Sequence, residues 1–337
     1  PWILLRPPAY PMNAFLTDLF ISTQGWLFDR LVQPVLFALG LAGYVEMGFE
    51  GIEFVLMGIL ELGIAYTVLR PLEAFWPAER WRNRRAVRVD VMYTLLNRLG
   101  IIPLAVFTLL APAFMALDGW LRFHDVIPRQ LEDWLPGLDT HPLASFLIYL
   151  LILDFAEYWR HRLSHTLGGW WALHGIHHSQ RQMSFWTDSR NHLLDDLIAG
   201  IWFAGLSLLI GVPPGHFIGL LVTLRLVENL SHTNTRLGFG RFGDYLIVGP
   251  RYHRWHHAID LPEGEAYRHG CNFAILLPVW DVLFGTLHLG AKLPATGIHE
   301  DSPDAMAARD DFWGQQKLGL ILMWRALAPR RRRSGAT

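Results

Sequence analysis

One cysteine, Cys271, stands in 337 residues. A single thiol excludes a disulfide framework within the chain, a cysteine-ligated iron–sulfur cluster and a Cys-x-x-Cys zinc site. Charged residues are scarce too, at 18%, and nearly balanced at a formal −1, which leaves no basic footprint for nucleic acid. The 29 basic residues include only two lysines, Lys292 and Lys317, a coding bias that points to a bacterial source. No H-E-x-x-H occurs, which removes zinc proteases of that type, and the Glu-x-x-His pairs of soluble di-iron bundles are missing from the histidine-bearing helices. The Pro1–Pro11 stretch is proline-rich without a continuous apolar core, so no cleavable signal peptide is expected there. No low-complexity linker divides the chain, and residues 1–337 read as a single integral domain.

Apolar residues are abundant. Hydrophobic residues make up 52%, tryptophan occurs fifteen times, and the mean hydropathy of +0.23 is that of a membrane protein. Leu99 to Leu117 carries no charge and is long enough to cross a hydrocarbon core of roughly 30 Å. Ile52 to Leu69, interrupted by Glu53 and Glu61, and Pro142 to Trp159, apolar until Asp154 and Glu157, are the other principal spans. Trp26 to Val45 reads as a first span. Leu197 to Gly211 and His216 to Val227 read as a tight hairpin through Gly211-Val-Pro-Pro-Gly215. The expected fold is an all-α integral membrane protein, a helical transmembrane bundle with a cytoplasmic histidine-rich cap. Its parts are N-terminal spans over 26–135, a catalytic region over 142–288 and a cytoplasmic C-terminal segment over 300–337.

Charge sets the expected orientation. The loop after Leu69 holds Arg70, Arg80, Arg82, Arg84, Arg85 and Arg88, whereas the loop after Leu117 holds Asp118, Asp125, Glu132, Asp133 and Asp139. The positive-inside rule places the first in the cytoplasm and the second outside. The Pro142 helix then delivers the histidines to the cytoplasmic face of what reads as a bacterial inner membrane, in agreement with the Arg330–Arg333 tail.

Eight histidines fall in three boxes: His161-Arg-Leu-Ser-His165, His174-Gly-Ile-His177-His178 and His253-Arg-Trp-His256-His257, with His192 and His232 between the last two. Residues at i, i+3 and i+4 share a helix face, and neutral imidazole is a good transition-metal ligand. Eight exceed what one tetrahedral zinc uses, so the boxes point to two metal ions held almost wholly by nitrogen. His124, His141, His216, His288 and His299 read as ordinary surface or core histidines. Asp154 and Glu157 form a ladder with His161 and His165. Asp154, deeper in the apolar run, is expected to hold the distal N–H of a ligand histidine, with pairing to Arg160 or Arg162 as the alternative. Glu228 precedes His232 by four residues and is expected in or beside the coordination shell, the alternative being a pair with Arg225.

These boxes are followed by Asn272-Phe273 and by Trp280-Asp281-Val-Leu-Phe284-Gly285-Thr286. Together, over about residues 150–286, they resemble the fatty acid hydroxylase and sterol desaturase superfamily of membrane-bound di-iron oxygenases. The resemblance implies two irons, dioxygen, a membrane lipid substrate and an external electron donor such as a reductase, ferredoxin or cytochrome. It implies metal ligation by His161, His165, His174, His177, His178, His253, His256 and His257, extended to His232 and His192. Supporting or catalytic roles fall to Asp154, Glu157, Glu228, Asn272 and Asp281. Glu228 stands where some relatives carry histidine, Glu157 where tyrosine is frequent, and Ala274 where glycine is commoner.

The expected function is a monooxygenase hydroxylating a C–H bond of a fatty acyl, alkyl or sterol lipid. Desaturation or ether-lipid cleavage on the same site is the alternative. A metal transporter and a bis-histidine haem cytochrome are competing readings. Transport sites belong near the membrane midplane, not at helix ends, and two haems use only four histidines.

Overall fold

A computed structural model describes residues 14–81, 84–127, 129–211, 214–299 and 311–328. The Pro1–Pro11 stretch, Arg82, Val212-Pro213 at the expected hairpin turn, and the Arg330–Arg333 tail lie outside the described residues. The structure is helical, and among the described residues the only strand-like pairing is one bridge between Ala258 and Thr296.

Among the described residues four helices are long and apolar enough to cross a membrane: Ala42–Phe75, Ile101–Phe123, Pro142–Thr166 and Leu193–Ile210. Only 6% of the Ile101–Phe123 window is buried inside the protein, and Leu109 and Met115 are exposed. In water that surface would be untenable; against lipid tails it is ordinary. The expected span at Trp26–Val45 is not one helix. A helical run from Ala14 passes a π-turn at Phe28–Val32, ends at Ala38 and reverses at Gly40, whose φ of +70° favours glycine. Gln24 Nε2 then donates to the Phe49 carbonyl at 3.0 Å, tying this arm to the next helix.

Local chemistry marks the ends of the other helices. Gly100, at φ +79°, separates Arg84–Arg98 from Ile101–Phe123, and Pro142 opens the helix that carries the first histidine box. Leu193–Ile210 starts beneath His192, whose Nδ1 accepts the Leu194 N–H, and stops at Gly211 in the left-handed conformation. Pro214–His232 follows and brings its last turn back to the histidines.

The core lies where these helices meet. Tyr149, Leu150 and Leu153 of the Pro142 helix pack on Leu220, Leu224, Ile275 and Leu276, and a second cluster joins Tyr158 to Val248, Tyr252 and Phe273. Two arginines inside the bundle are paired. Arg98 donates to Glu61 at 3.0 Å and to Asp188 at 2.5 Å, which accounts for Glu61 inside the Ile52–Leu69 run. Fully buried Arg190 donates to Asp90 at 2.6 Å, to the Ile176 carbonyl and to Ser179, fixing the 179–191 loop. Val45–Ile64 crosses Arg84–Arg98 at Gly58, where an added Cβ would lie 1.8 Å from the Arg98 carbonyl oxygen.

Candidate metal centre

Among the described residues nine histidines converge as two groups. His161, His165, His174, His178 and His256 form one; His177, His232, His253 and His257 form the other. All are buried, and within each group one ring nitrogen per residue lies within 4.8 Å of the rest. Each H-x-x-H-H box straddles both groups. The i, i+4 pairs His161/His165, His174/His178 and His253/His257 stay together, while His177 and His256, at i+3, turn to the other centre. At 3.6 residues per turn, i+4 lies about 40° from i and i+3 about 60° the opposite way.

Backbone carbonyls orient the first group. His161 Nδ1 donates to the Phe273 carbonyl at 2.9 Å, His165 Nδ1 to His269 at 3.1 Å and His256 Nδ1 to Cys271 at 2.8 Å. A carbonyl only accepts, so each Nδ1 carries the proton and each Nε2 presents a lone pair. His174 gains the same tautomer from Asp195, at 3.1 Å. The Nε2 atoms of His165, His174, His178 and His256 are buried without a hydrogen-bond partner. Four orphaned ring nitrogens in one cage, those of His165, His174 and His256 fixed as acceptors, fit a cation.

The second group fails as a hydrogen-bond network. His232 Nε2 lies 3.1 Å from His177 Nε2 and 2.9 Å from His253 Nε2, and His253 Nε2 lies 3.1 Å from His257 Nε2. Because His232 Nδ1 donates to the Glu228 carbonyl at 2.8 Å, both neighbours would have to donate to its Nε2. The one hydrogen on His253 Nε2 would then serve His232 and His257 at once. Nitrogens about 2.1 Å from one metal ion and at right angles stand about 3.0 Å apart, the spacing found here. Burial and neighbouring imidazoles hold His177, His178, His253 and His257 well below the usual histidine pKa, and burial lowers His256 to about 3. All five are therefore neutral at neutral pH, the form in which imidazole can ligate a metal. Such crowded imidazoles leave no plane for a porphyrin.

His192 is a correction. Its Nε2 donates to the Gln316 carbonyl at 2.8 Å and its Nδ1 caps the next helix, so both nitrogens are occupied and it stands outside both groups. Asp154 is another, because it touches no histidine. Its carboxylate accepts from the backbone of Leu276 and Leu277 at 2.9 and 3.1 Å and from Trp280 Nε1 at 2.8 Å. The arginine pairing considered for Asp154 falls instead to Glu157, held by Arg160 at 2.7 Å. Asp281 accepts from Phe273 N, Ala274 N, Thr286 and Tyr252, while Asn272, at φ +58°, binds Tyr252 and His288. These two brace the segment whose carbonyls orient the cage. Glu228 lines a polar cavity of about 80 Å³ together with His161, His174, His177, His232 and His253, and Arg225, its alternative partner, lies 3.6 Å from Glu61. Sequence reasoning missed Asp195 and the 269–273 carbonyls. The adjacent carboxylates Asp195 and Asp196 at the start of an apolar helix were the available signal.

Two further cavities reach the site. A mostly apolar one of about 610 Å³ runs from Phe107 and Phe203 to Glu157 and Glu228. A surface cleft of about 310 Å³ leads from exposed Arg268 and His269 to His165, His178 and His256.

Fold and site together define a membrane-embedded, histidine-caged metalloprotein. A family model for fatty acid hydroxylase matches residues 146–286. The chain is 31% identical over 211 residues to methylsterol monooxygenase 1-3 of Arabidopsis thaliana, covering 59% of this chain and 69% of that one. It belongs to the fatty acid hydroxylase family and is an oxidoreductase. An ornithine lipid hydroxylase of Rhizobium tropici is 27% identical over 283 residues, 80% of this chain and 78% of the other. Human alkylglycerol monooxygenase is 31% identical over 134 residues, 40% of this chain and 28% of its own length. No solved structure matches.

Proposed function

We propose that the chain is a di-iron monooxygenase that hydroxylates a C–H bond of a membrane lipid with dioxygen and electrons from an external donor. The observation that carries this reading is the junction of two histidine cages with an apolar cavity that opens among membrane-spanning helices. His161, His165, His174, His178 and His256 would hold one ion, and His177, His232, His253 and His257 the other. When bound, iron supplies the redox chemistry that oxygen insertion into an alkyl carbon needs and that zinc lacks.

The residues themselves position and exclude. Phe107, Phe203 and Leu224 enclose an apolar chain away from water, while the Glu157–Arg160 pair closes the floor beside the cages. Asp195 and the carbonyls of His269, Cys271 and Phe273 keep four Nδ1 protons in place, so the facing nitrogens stay aimed during turnover. The cleft at Arg268 and His269 is where an electron donor approaches the first cage, on the cytoplasmic side. Residues 142–288 form the catalytic region and 26–135 the N-terminal membrane region of one integral unit.

Anaerobic loading under reducing conditions tests this. Close to two irons per chain are expected, without a Soret band, and His177→Ala or His256→Ala lowers the content sharply. Unchanged metal and activity in both variants refute the assignment. Lipid extracts from a deletion strain and its complemented parent identify the product. With Cys271→Ser as background, a cysteine at position 84 should label from the cytoplasm and one at 133 from outside; the reverse overturns the orientation.

A further inference from the structure

The Ala42–Phe75 helix ends in an elbow, residues 73–79, that grips the chain just past His232. Buried Glu73 accepts the backbone N–H groups of Phe185 and Asn234 on one carboxylate oxygen, each at 3.0 Å. The Asn234 side chain in turn accepts from Glu79 N at 3.0 Å and donates to the Glu79 carbonyl at 2.8 Å. Arg236 N and Thr235 Oγ1 close the seam by donating to the Trp76 carbonyl, both at 3.1 Å. Glu73 and Glu79 stand outside residues 146–286, the stretch that the family model matches, so this seam joins the N-terminal spans to the metal centre.

We propose that Glu73 and Asn234 are positioning residues of the second cage, which hold the last turn of Pro214–His232 so that His232 Nε2 stays between His177 and His253. His232 is the final residue of that helix, where the closing carbonyls lack helical donors and the turn frays unless the chain beyond it is tied down. Its Nδ1 bond to the Glu228 carbonyl lies within the same turn. That bond sets the ring against the helix, but not the turn against the cage. The Phe185 bond adds a second restraint, because the same loop carries Asp188, whose carboxylate lies 3.9 Å from His232 Nδ1. The first cage takes no ligand from Pro214–His232, so the effect is confined to one ion. What the site needs from Glu73 is an acceptor more than a charge. Its other carboxylate oxygen has no hydrogen-bond partner, and a glutamine carbonyl can receive both N–H groups, whereas alanine leaves them buried without an acceptor. The inference rests on the two-ion reading and deepens it.

Anaerobic competition for Co²⁺ between the full chain in detergent and a chromophoric chelator provides the test, since it reads the two sites separately. Glu73→Ala should weaken one site about 10–100-fold and leave the other within about twofold, while Glu73→Gln should stay within about threefold of the parent at both. Asn234→Ala keeps the backbone bonds of the seam and should weaken the same site several-fold; it decides the question where Glu73→Ala does not fold. In a His165→Ala background, which leaves only the second cage complete, the remaining site should show the full loss. Unchanged affinity at both sites, equal weakening of both, a glutamine variant as impaired as the alanine one, or a loss absent from the His165→Ala background overturns the proposal and leaves the two-ion reading intact. Parent protein that holds a single Co²⁺ overturns both.

Discussion

Asp281→Asn should empty one metal site and spare the other. The wild-type carboxylate takes Phe273 N and Thr286 Oγ1 on one oxygen, at 2.9 and 2.6 Å, and Ala274 N at 2.8 Å together with the Tyr252 hydroxyl on the other. An asparagine amide keeps one acceptor and replaces the other with a donor. The hydroxyl of Thr286 or Tyr252 can rotate to meet it, but in either flip one backbone N–H faces an NH₂ and is left buried without an acceptor. That costs about 1–3 kcal/mol, and the loss of charge assistance on the remaining bonds adds about 1 kcal/mol more. A displaced 271–274 segment carries away the carbonyls of Cys271 and Phe273, which hold His256 and His161. A total of about 3 kcal/mol corresponds to roughly a hundredfold in affinity, the upper end for loss of an orienting partner. His177, His232, His253 and His257 make no hydrogen bond to that segment. Chelator-competition titration of the purified protein should therefore show one weakened site and one near its original affinity, with about one metal retained per chain. Two unaltered sites, or equal weakening of both, refute the argument that this segment orients one cage selectively.

Other expectations follow from the same geometry. Gly58→Ala forces Cβ onto the Arg98 carbonyl, at 1.8 Å in the present backbone; the helices must separate, at a cost of about 1–3 kcal/mol, read as a lower melting temperature in detergent. A variant as stable as the parent contradicts that crossing. His192→Ala should keep both metals, since His192 caps Leu193–Ile210 and binds Gln316 instead, while proteolysis near the Phe312–Leu327 helix accelerates; metal loss with an undisturbed helix would restore a ligand role. In the metal-free protein, His177, His178, His253, His256 and His257 have folded pKa values below the unfolded value of about 6.5. The unfolded chain then takes up protons that the folded chain refuses, so stability is present above about pH 6.5 and falls as pH drops toward the folded values. Each such group contributes up to about 1.4 kcal/mol per pH unit. Melting temperatures that stay flat from pH 7.5 to 5.5 would show that these rings protonate without penalty.

Much of this protein is written in one dimension. Apolar runs long enough to cross a membrane need no tertiary information, because a backbone in hydrocarbon must satisfy its own hydrogen bonds as helix, and three of the four spanning helices overlap the principal apolar runs. The histidine boxes are equally legible, since the helical period fixes which residues share a face. Only the packing of distant elements decided the rest. Gly40 reversed the chain inside the expected first span through a left-handed φ that composition did not reveal. The division of each H-x-x-H-H box between two cages depends on where Gly168–His178 and Pro250–His256 lie relative to each other and to His161 and His232. His192 looked like the other histidines until Gln316, more than a hundred residues away, took its Nε2. Asp154 was expected to hold a histidine, but its carboxylate oxygens accept from a turn that reaches it only in the folded bundle. Helical period and hydropathy are local properties that the sequence determines by itself. Which nitrogen is left without a hydrogen-bond partner depends on every neighbour at once, and that only the tertiary structure decides.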